Sequence, residues 1–90
     1  MKSCIVEIDG AKVLFKTKND RTNNFGRAGG KRITALAICE YPNAPGQICL
    51  FACDRHWEVV GDLLYSSVEE ARDDAERCYG VPPTAWIQPT

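Results

Sequence analysis

The sequence predicts an α+β fold: an antiparallel sheet of about five strands with one C-terminal helix packed on one face. Three observations predict it. Gln47–Cys53 is apolar on both of its alternating faces, the mark of a strand covered on both sides. Asp9-Gly10 lies between two apolar-rich runs, a strong hairpin signal because the tight turn needs positive φ. Ser66-Ser67, followed by Glu69-Glu70, opens a stretch with helical periodicity that Gly80 and Pro82-Pro83 close, the pattern of a capped helix.

In chain order, Cys4–Asp9 and Lys12–Lys18 form the first hairpin. Val6, Ile8, Val13 and Phe15 supply its inner faces. Lys12, Lys16 and Lys18 share one parity, which points them outward to blunt an edge strand. Asn19–Arg32 has no periodicity and carries three glycines, four basic residues and one acid. It is expected to be a structureless, mobile loop, and loops of that length are commonly functional or disordered. Its glycine spacing fails the phosphate-loop pattern: Phe25 stands where a glycine belongs and Arg32 replaces the required Ser or Thr. Ile33–Glu40 reads as a third, buried strand. Tyr41–Gly46 is a turn, since Pro42 and Pro45 disfavour helix for themselves and their predecessors.

Asp54-Arg55-His56 is the next reversal, with Asp54 suited to an Asx-type turn. Beyond it Trp57–Tyr65 pairs with Gln47–Cys53. Trp57, Val59, Leu63 and Tyr65 share one face, and Gly61 leaves a gap there for close approach of another backbone. Either serine can cap the helix Ser67–Tyr79. Val68, Ala71, Ala75 and Cys78 form its narrow apolar stripe, and the small residues at 71 and 75 bring it close to the sheet. In the tail Val81–Thr90, Trp86 is expected to dock on its own domain. Two central strands are apolar on both faces and only one helix is available. The other face therefore needs a cover, supplied by a homodimer through the sheet, the tail or a partner protein.

Ninety residues make one domain with a modest core. With 44% hydrophobic and 26% charged residues the chain is ordinary globular material. No apolar run approaches the ~20 residues of a membrane helix. The N-terminus is too short and too quickly acidic for a signal peptide, so a cytoplasmic protein is expected. Its five cysteines then read as reduced thiols, packed in strands (Cys4, Cys39, Cys49, Cys53) or on the helix stripe (Cys78).

Chemistry is scarce. Cys49, Cys53 and His56 have zinc-ligand residue types, but on a strand the two thiols stand ~13 Å apart, too far for one metal. Cys53 with His56 is a conceivable nucleophile–base pair, lacking an oxyanion loop or third member. No catalytic, cofactor or metal residue is assigned. Net charge is −1, yet residues 1–45 hold eight Lys or Arg against four acids and residues 46–90 hold three against eight. That polarity singles out Arg21, Arg27, Lys31 and Arg32 on the loop, and Glu70, Asp73 and Asp74 on the helix, as partner-binding candidates.

Asp54-Arg55-His56-Trp57, Gly61-Asp62, Ser67-Val68-Glu69-Glu70-Ala71, Tyr79-Gly80-Val81 and Trp86 are similar to the close of small uncharacterised bacterial proteins. Those resemble the immunity partners found beside toxins: small, single-domain and without catalytic motifs. The resemblance spans residues 50–86, carries no functional residue over, and finds no counterpart for residues 1–45. It implies a non-enzymatic protein-interaction module with an unidentified protein partner. The alternative is a small nucleic-acid-associated regulator using the basic 19–32 loop.

Overall fold

A computed structural model describes residues 5–89; Cys4 lies outside them. Five strands form one antiparallel sheet in the order β1 (Glu7–Ile8), β2 (Ala11–Lys16), β5 (Ala35–Glu40), β6 (Ile48–Cys53) and β7 (Val59–Tyr65). A helix, α1 (Val68–Tyr79), lies against β5, β6 and β7. The expected α+β architecture, with the helix near the C-terminus on one face of a curled sheet, is what the chain adopts.

Local chemistry sets the turns. Asp9 and Gly10 both take positive φ, 54° and 81°, as a two-residue hairpin with the sheet's right-handed twist requires. The connection from β5 to β6 is wider, with Ala44 N–H bonded to Tyr41 O and Gly46 N–H to Glu40 Oε2. Asp54 makes the Asx turn: its Oδ1 accepts from the N–H of His56 at 2.8 Å and of Glu58 at 3.0 Å. Ser67 is the helix N-cap, accepting from Glu70 N–H at 3.1 Å, while the Glu70 carboxylate reaches back to Ser66 N and Oγ. At the other end Gly80, φ 73°, donates to Glu76 O, satisfying a carbonyl the helix leaves open.

The sheet has an apolar layer on each face. Under the helix lie Ile33, Leu36, Ile38, Ile48, Leu50 and Ala52 with Ala71, Ala75 and Val81. On the opposite face Cys39, Cys49, Phe51 and Cys53 pack with Ile8, Ala11 and Val13, and Ile5, Tyr41, Trp57 and Val59 close over them. The curl of the sheet thus lets the chain bury its own second face, and no dimer is needed to explain how that face is covered. Trp86 docks on the helix-side core, and Ile87 pairs with Lys16 through two backbone bonds, 2.9 and 2.8 Å.

Several expectations are corrected. The pairing register of β2 shifts between Val13 and Phe15, so Val13 faces the thiol layer while Leu14 and Phe15 pack with the helix layer. Lys12 and Lys16 consequently do not share a face, and Lys16 lies 5.6 Å from the Trp57 ring. Val6 is 53% exposed. Trp57 is not in the strand: with φ 63° it ends the turn, and β7 begins at Val59. A second irregularity, opposite Ala52/Cys53, leaves Val60 unpaired, so Trp57 and Val59 face the thiols while Tyr65 packs with the helix layer. Cys78 is exposed, because the buried stripe narrows to Ala71 and Ala75.

The largest correction concerns 19–32. This segment is neither structureless nor loosely attached. It holds a second, two-stranded sheet, β3 (Arg27–Ala28) with β4 (Lys31–Arg32), turning on Gly29 and Gly30 at φ 57° and 79°. Phe25 and Ala28 pack against the helix-side core, and Phe25 and Ile33 are tied by backbone bonds. Gly61 receives this hairpin, although a Cβ there would meet Ala28 and Ala52 at an ordinary 3.8 Å. The gap is therefore not compulsory.

Candidate functional site

The four basic candidates from the 19–32 segment converge. Arg21, Arg27, Lys31 and Arg32 line one cleft of about 500 Å³ together with Thr34, Asp54, Arg55 and His56. Two features of the chain build it. The β3–β4 hairpin sets Arg27 opposite Arg32 and Ala28 opposite Lys31. The β5–β6 pairing, prolonged by Thr34 N–H to Cys53 O at 3.0 Å, then brings this hairpin beside the turn that carries Arg55 and His56. Arg55 is not among the candidates read from the sequence, and His56 is weighed there only as a metal ligand or a base. Their signal was the strand pairing itself, which lays the residues preceding Ile33 next to those following Cys53.

The hydrogen bonds hold the cleft's walls. Asn19 Oδ1 accepts from Thr34 Oγ1 at 2.6 Å and its Nδ2 donates to Asp54 O at 3.0 Å. Asn23 Nδ2 donates to Lys18 O and Thr34 O, and Asp20 Oδ1 accepts from Thr22 N–H. Arg27 Nη2 donates to Gly30 O at 2.8 Å and Arg32 Nη1 to Arg21 O at 3.0 Å. Each guanidinium keeps further donors at an exposed position.

Charge in the cleft is lopsided. Lys31 reaches Asp54 Oδ2 at 3.6 Å and Glu58 Oε1 at 3.3 Å, and the bond to Glu58 leads the causes that raise its pKa. Burial works to raise the Asp54 carboxyl, but the N–H groups of Glu58 and His56, with Lys31 nearby, outweigh it and hold the group below its usual range. Asp54 is thus a structural anion. Among the described residues Arg21, Arg27, Arg32 and Arg55 have no carboxylate within ion-pair distance. A second hollow, lined by Lys16, Lys18, Asn19, Asp20 and Trp57, shares Arg21 and Arg55 with the cleft and extends the basic surface.

The acidic candidates are elsewhere and mostly occupied. Glu70 caps Ser66, whose hydroxyl lowers its pKa. Asp74 accepts from the Tyr65 hydroxyl and from Arg77; the phenol is the largest cause lowering its pKa, burial comes next and opposes it, and Arg77 adds to the lowering. Asp73 is exposed. All three line a separate hollow of about 700 Å³ with Leu64, Tyr65 and Arg77. Cys53 and His56 do not form a reacting pair: the thiol is buried and pushed up to about 12 by that burial, then by Asp54, while His56 accepts from Arg55 Nε at the cleft.

Among the described residues no cluster of His, Cys, Asp and Glu is placed to hold a metal, and no helix is long and apolar enough to cross a membrane. Comparison of the chain with protein-family models, with curated proteins and with solved structures returned no match.

Proposed function

We propose that this chain is a non-enzymatic protein-interaction module, immunity-like in type, and that the cleft walled by Arg21, Arg27, Arg32 and Arg55 receives carboxylate side chains of an acidic protein partner. The observation that carries the reading is the convergence of these four guanidiniums, unpaired with any carboxylate among the described residues, in a chain whose net charge is −1. Arg27 and Arg32 each spend one donor on a backbone carbonyl, Gly30 O and Arg21 O, and keep the rest of the guanidinium fork for a ligand. Like charges directly opposite one another, as at Arg27 and Arg32, disfavour a strand pair. Arginine is also the cation best shaped to grip a carboxylate with two parallel hydrogen bonds.

Nucleic acid is the second reading, drawn from the same cations and the adjoining Lys16 and Lys18. The aromatic group that lines the adjoining hollow, Trp57, supports it poorly, because its ring packs on the thiol layer and carries Lys16 above it rather than offering a base an open face. A titration separates the two. A glutamate-rich peptide should bind the protein, lose most of its affinity with Arg27→Glu/Arg32→Glu, and outcompete a single-stranded oligonucleotide of equal charge. Tighter oligonucleotide binding with a steep fall in rising salt would transfer the cleft to the second reading. Equal binding of both probes to the parent and the charge-reversed protein would remove the cleft from function altogether.

A further inference from the structure

We propose that the arginine cleft and the hollow beside it form one bipartite site, which receives two acidic clusters carried on a single segment of the partner protein. The inference rests on the carboxylate reading of the cleft and specifies the partner's chemistry. The cleft is walled by Arg21, Arg27, Arg32 and Arg55. The second hollow, of about 620 Å³, is lined by Lys16, Lys18, Arg21 and Arg55. Arg21 and Arg55 belong to both, so a segment leaving one hollow enters the other across these two side chains.

The second hollow also has charge to spare. Among the described residues neither Lys16 nor Lys18 has a carboxylate within ion-pair distance. The acid in its lining, Asp20, turns Oδ1 to the Thr22 N–H at 2.9 Å. The hollow is held in shape as well. Lys16 is fixed by its backbone N–H and carbonyl, both bonded to Ile87, and its ammonium lies 5.6 Å from the Trp57 ring. Arg32 Nη1 holds the Arg21 carbonyl, and Arg55 Nε donates to His56 Nε2 at 3.3 Å. That leaves the outer nitrogens of the Arg55 guanidinium for a ligand.

The two halves read an anion differently. Guanidinium forks grip a carboxylate with directed, paired bonds, whereas a lysine ammonium is a point charge on a flexible stem. The first cluster is therefore read in orientation and the second in charge alone. A second copy of this chain is the poorer occupant, although its helix exposes Glu69, Asp73 and Glu76. Helix and cleft are different surfaces, so that contact would be head-to-tail, giving rings or open chains instead of the far commoner two-fold dimer.

Two peptides test this on the full chain. One carries three glutamates, a glycine-serine spacer varied from about two to eight residues, and three more glutamates. In the other the last three are glutamines. For at least one spacer the all-glutamate peptide should bind at least about tenfold more tightly, because its second contact is intramolecular. It alone should move the indole resonance of Trp57, while that of Trp86, docked on the helix-side core, stays in place. Lys16→Gln/Lys18→Gln should bring the two affinities within about twofold of each other. If the glutamine peptide binds and weakens with Arg27→Glu/Arg32→Glu, yet no spacer gives the all-glutamate peptide an advantage, this inference falls and the carboxylate reading stands. If neither peptide binds, both fall. A Trp57 shift produced by raising the protein concentration alone would make a second copy the occupant. Displacement of the all-glutamate peptide by an oligonucleotide of equal charge would make it nucleic acid. Either result overturns the proposal.

Discussion

Thr34 donates its hydroxyl to Asn19 across 2.6 Å, and the same Asn19 amide donates to Asp54 O. One side chain thereby fastens the start of the 19–32 excursion to its end and to the turn after β6. Asn19→Ala removes two bonds and leaves the Thr34 hydroxyl, on a buried residue, without its acceptor. It should cost ~1–2 kcal/mol and raise amide exchange through β3 and β4 together. Unchanged exchange there would show that Phe25 and Ala28 hold the hairpin without the asparagine.

Ala71 and Ala75 are the two buried residues of the helix. Ala75→Leu should destabilise by ~1–3 kcal/mol through overpacking, whereas Asp73→Leu, on the exposed face, should change a urea midpoint little. Asp74 is not a neutral control, since it receives the Tyr65 hydroxyl and Arg77. Equal losses from Ala75→Leu and Asp73→Leu would mean the helix is rotated from the orientation described.

What the sequence made legible were the features set by neighbouring residues. Asp9-Gly10 announces its turn, Ser67 and Gly80 announce the helix ends, and Gln47–Cys53 announces burial on two faces. The missed features depend on contacts between distant segments. Leu14 and Val60 sit at irregularities that reverse the facing of what adjoins them, and alternation in a single strand carries no sign of that. The β3–β4 hairpin pairs only two residues per strand, too few to alternate, although Gly29-Gly30 was a turn signal. Of the candidate site, the loop cations were readable as a basic run. Their meeting with Arg55 was not, because it requires the register of β5 against β6.

Two glycines should respond in opposite directions. Gly61→Ala places a methyl at ordinary contact with Ala28 and Ala52 in a strand interior where glycine costs ~0.5–1 kcal/mol, so it should raise stability by up to that amount. Gly80 has φ 73° at the helix terminus, where a side chain is strained by ~1–2 kcal/mol, so Gly80→Ala should lower stability. Thermal melts of the pair decide it, and a loss at Gly61 would show that the hairpin presses closer on β7 than described.

Acid should weaken the fold through Asp54 and Asp74, whose carboxyls are held below their usual range. For a group with a depressed folded-state pKa, the contribution is fully present above the unfolded value, near ~4, and disappears as pH falls through the lowered folded value. The urea midpoint should therefore be level near neutrality and decline below pH ~4. In Asp54→Asn the side-chain oxygen still accepts hydrogen bonds but the charge is gone, so the decline should be shallower. A parallel decline in parent and variant would take the acid sensitivity away from this turn.

The thiols test whether the second face of the sheet is closed by the chain itself. Cys39, Cys49 and Cys53 are buried beneath Tyr41, Trp57 and Val59, whereas Cys78 is exposed. Burial, then the neighbouring thiols Cys53 and Cys49, pushes Cys39 up to about 12, and burial, then Asp54, does the same for Cys53. Both are thus protonated at neutral pH, and the thiolate is the form that reacts. In a Cys4→Ser background, iodoacetamide should modify Cys78 readily. The three sheet thiols should react only as fast as the protein unfolds, so added urea should accelerate them together. Trp57→Ala removes part of the cover and should speed Cys53 selectively at a denaturant concentration where the fold, followed by far-UV circular dichroism, is intact. If Cys39, Cys49 and Cys53 are modified at the rate of Cys78 in the folded parent, the layer is open in solution. A dimer or partner would then be required to close it.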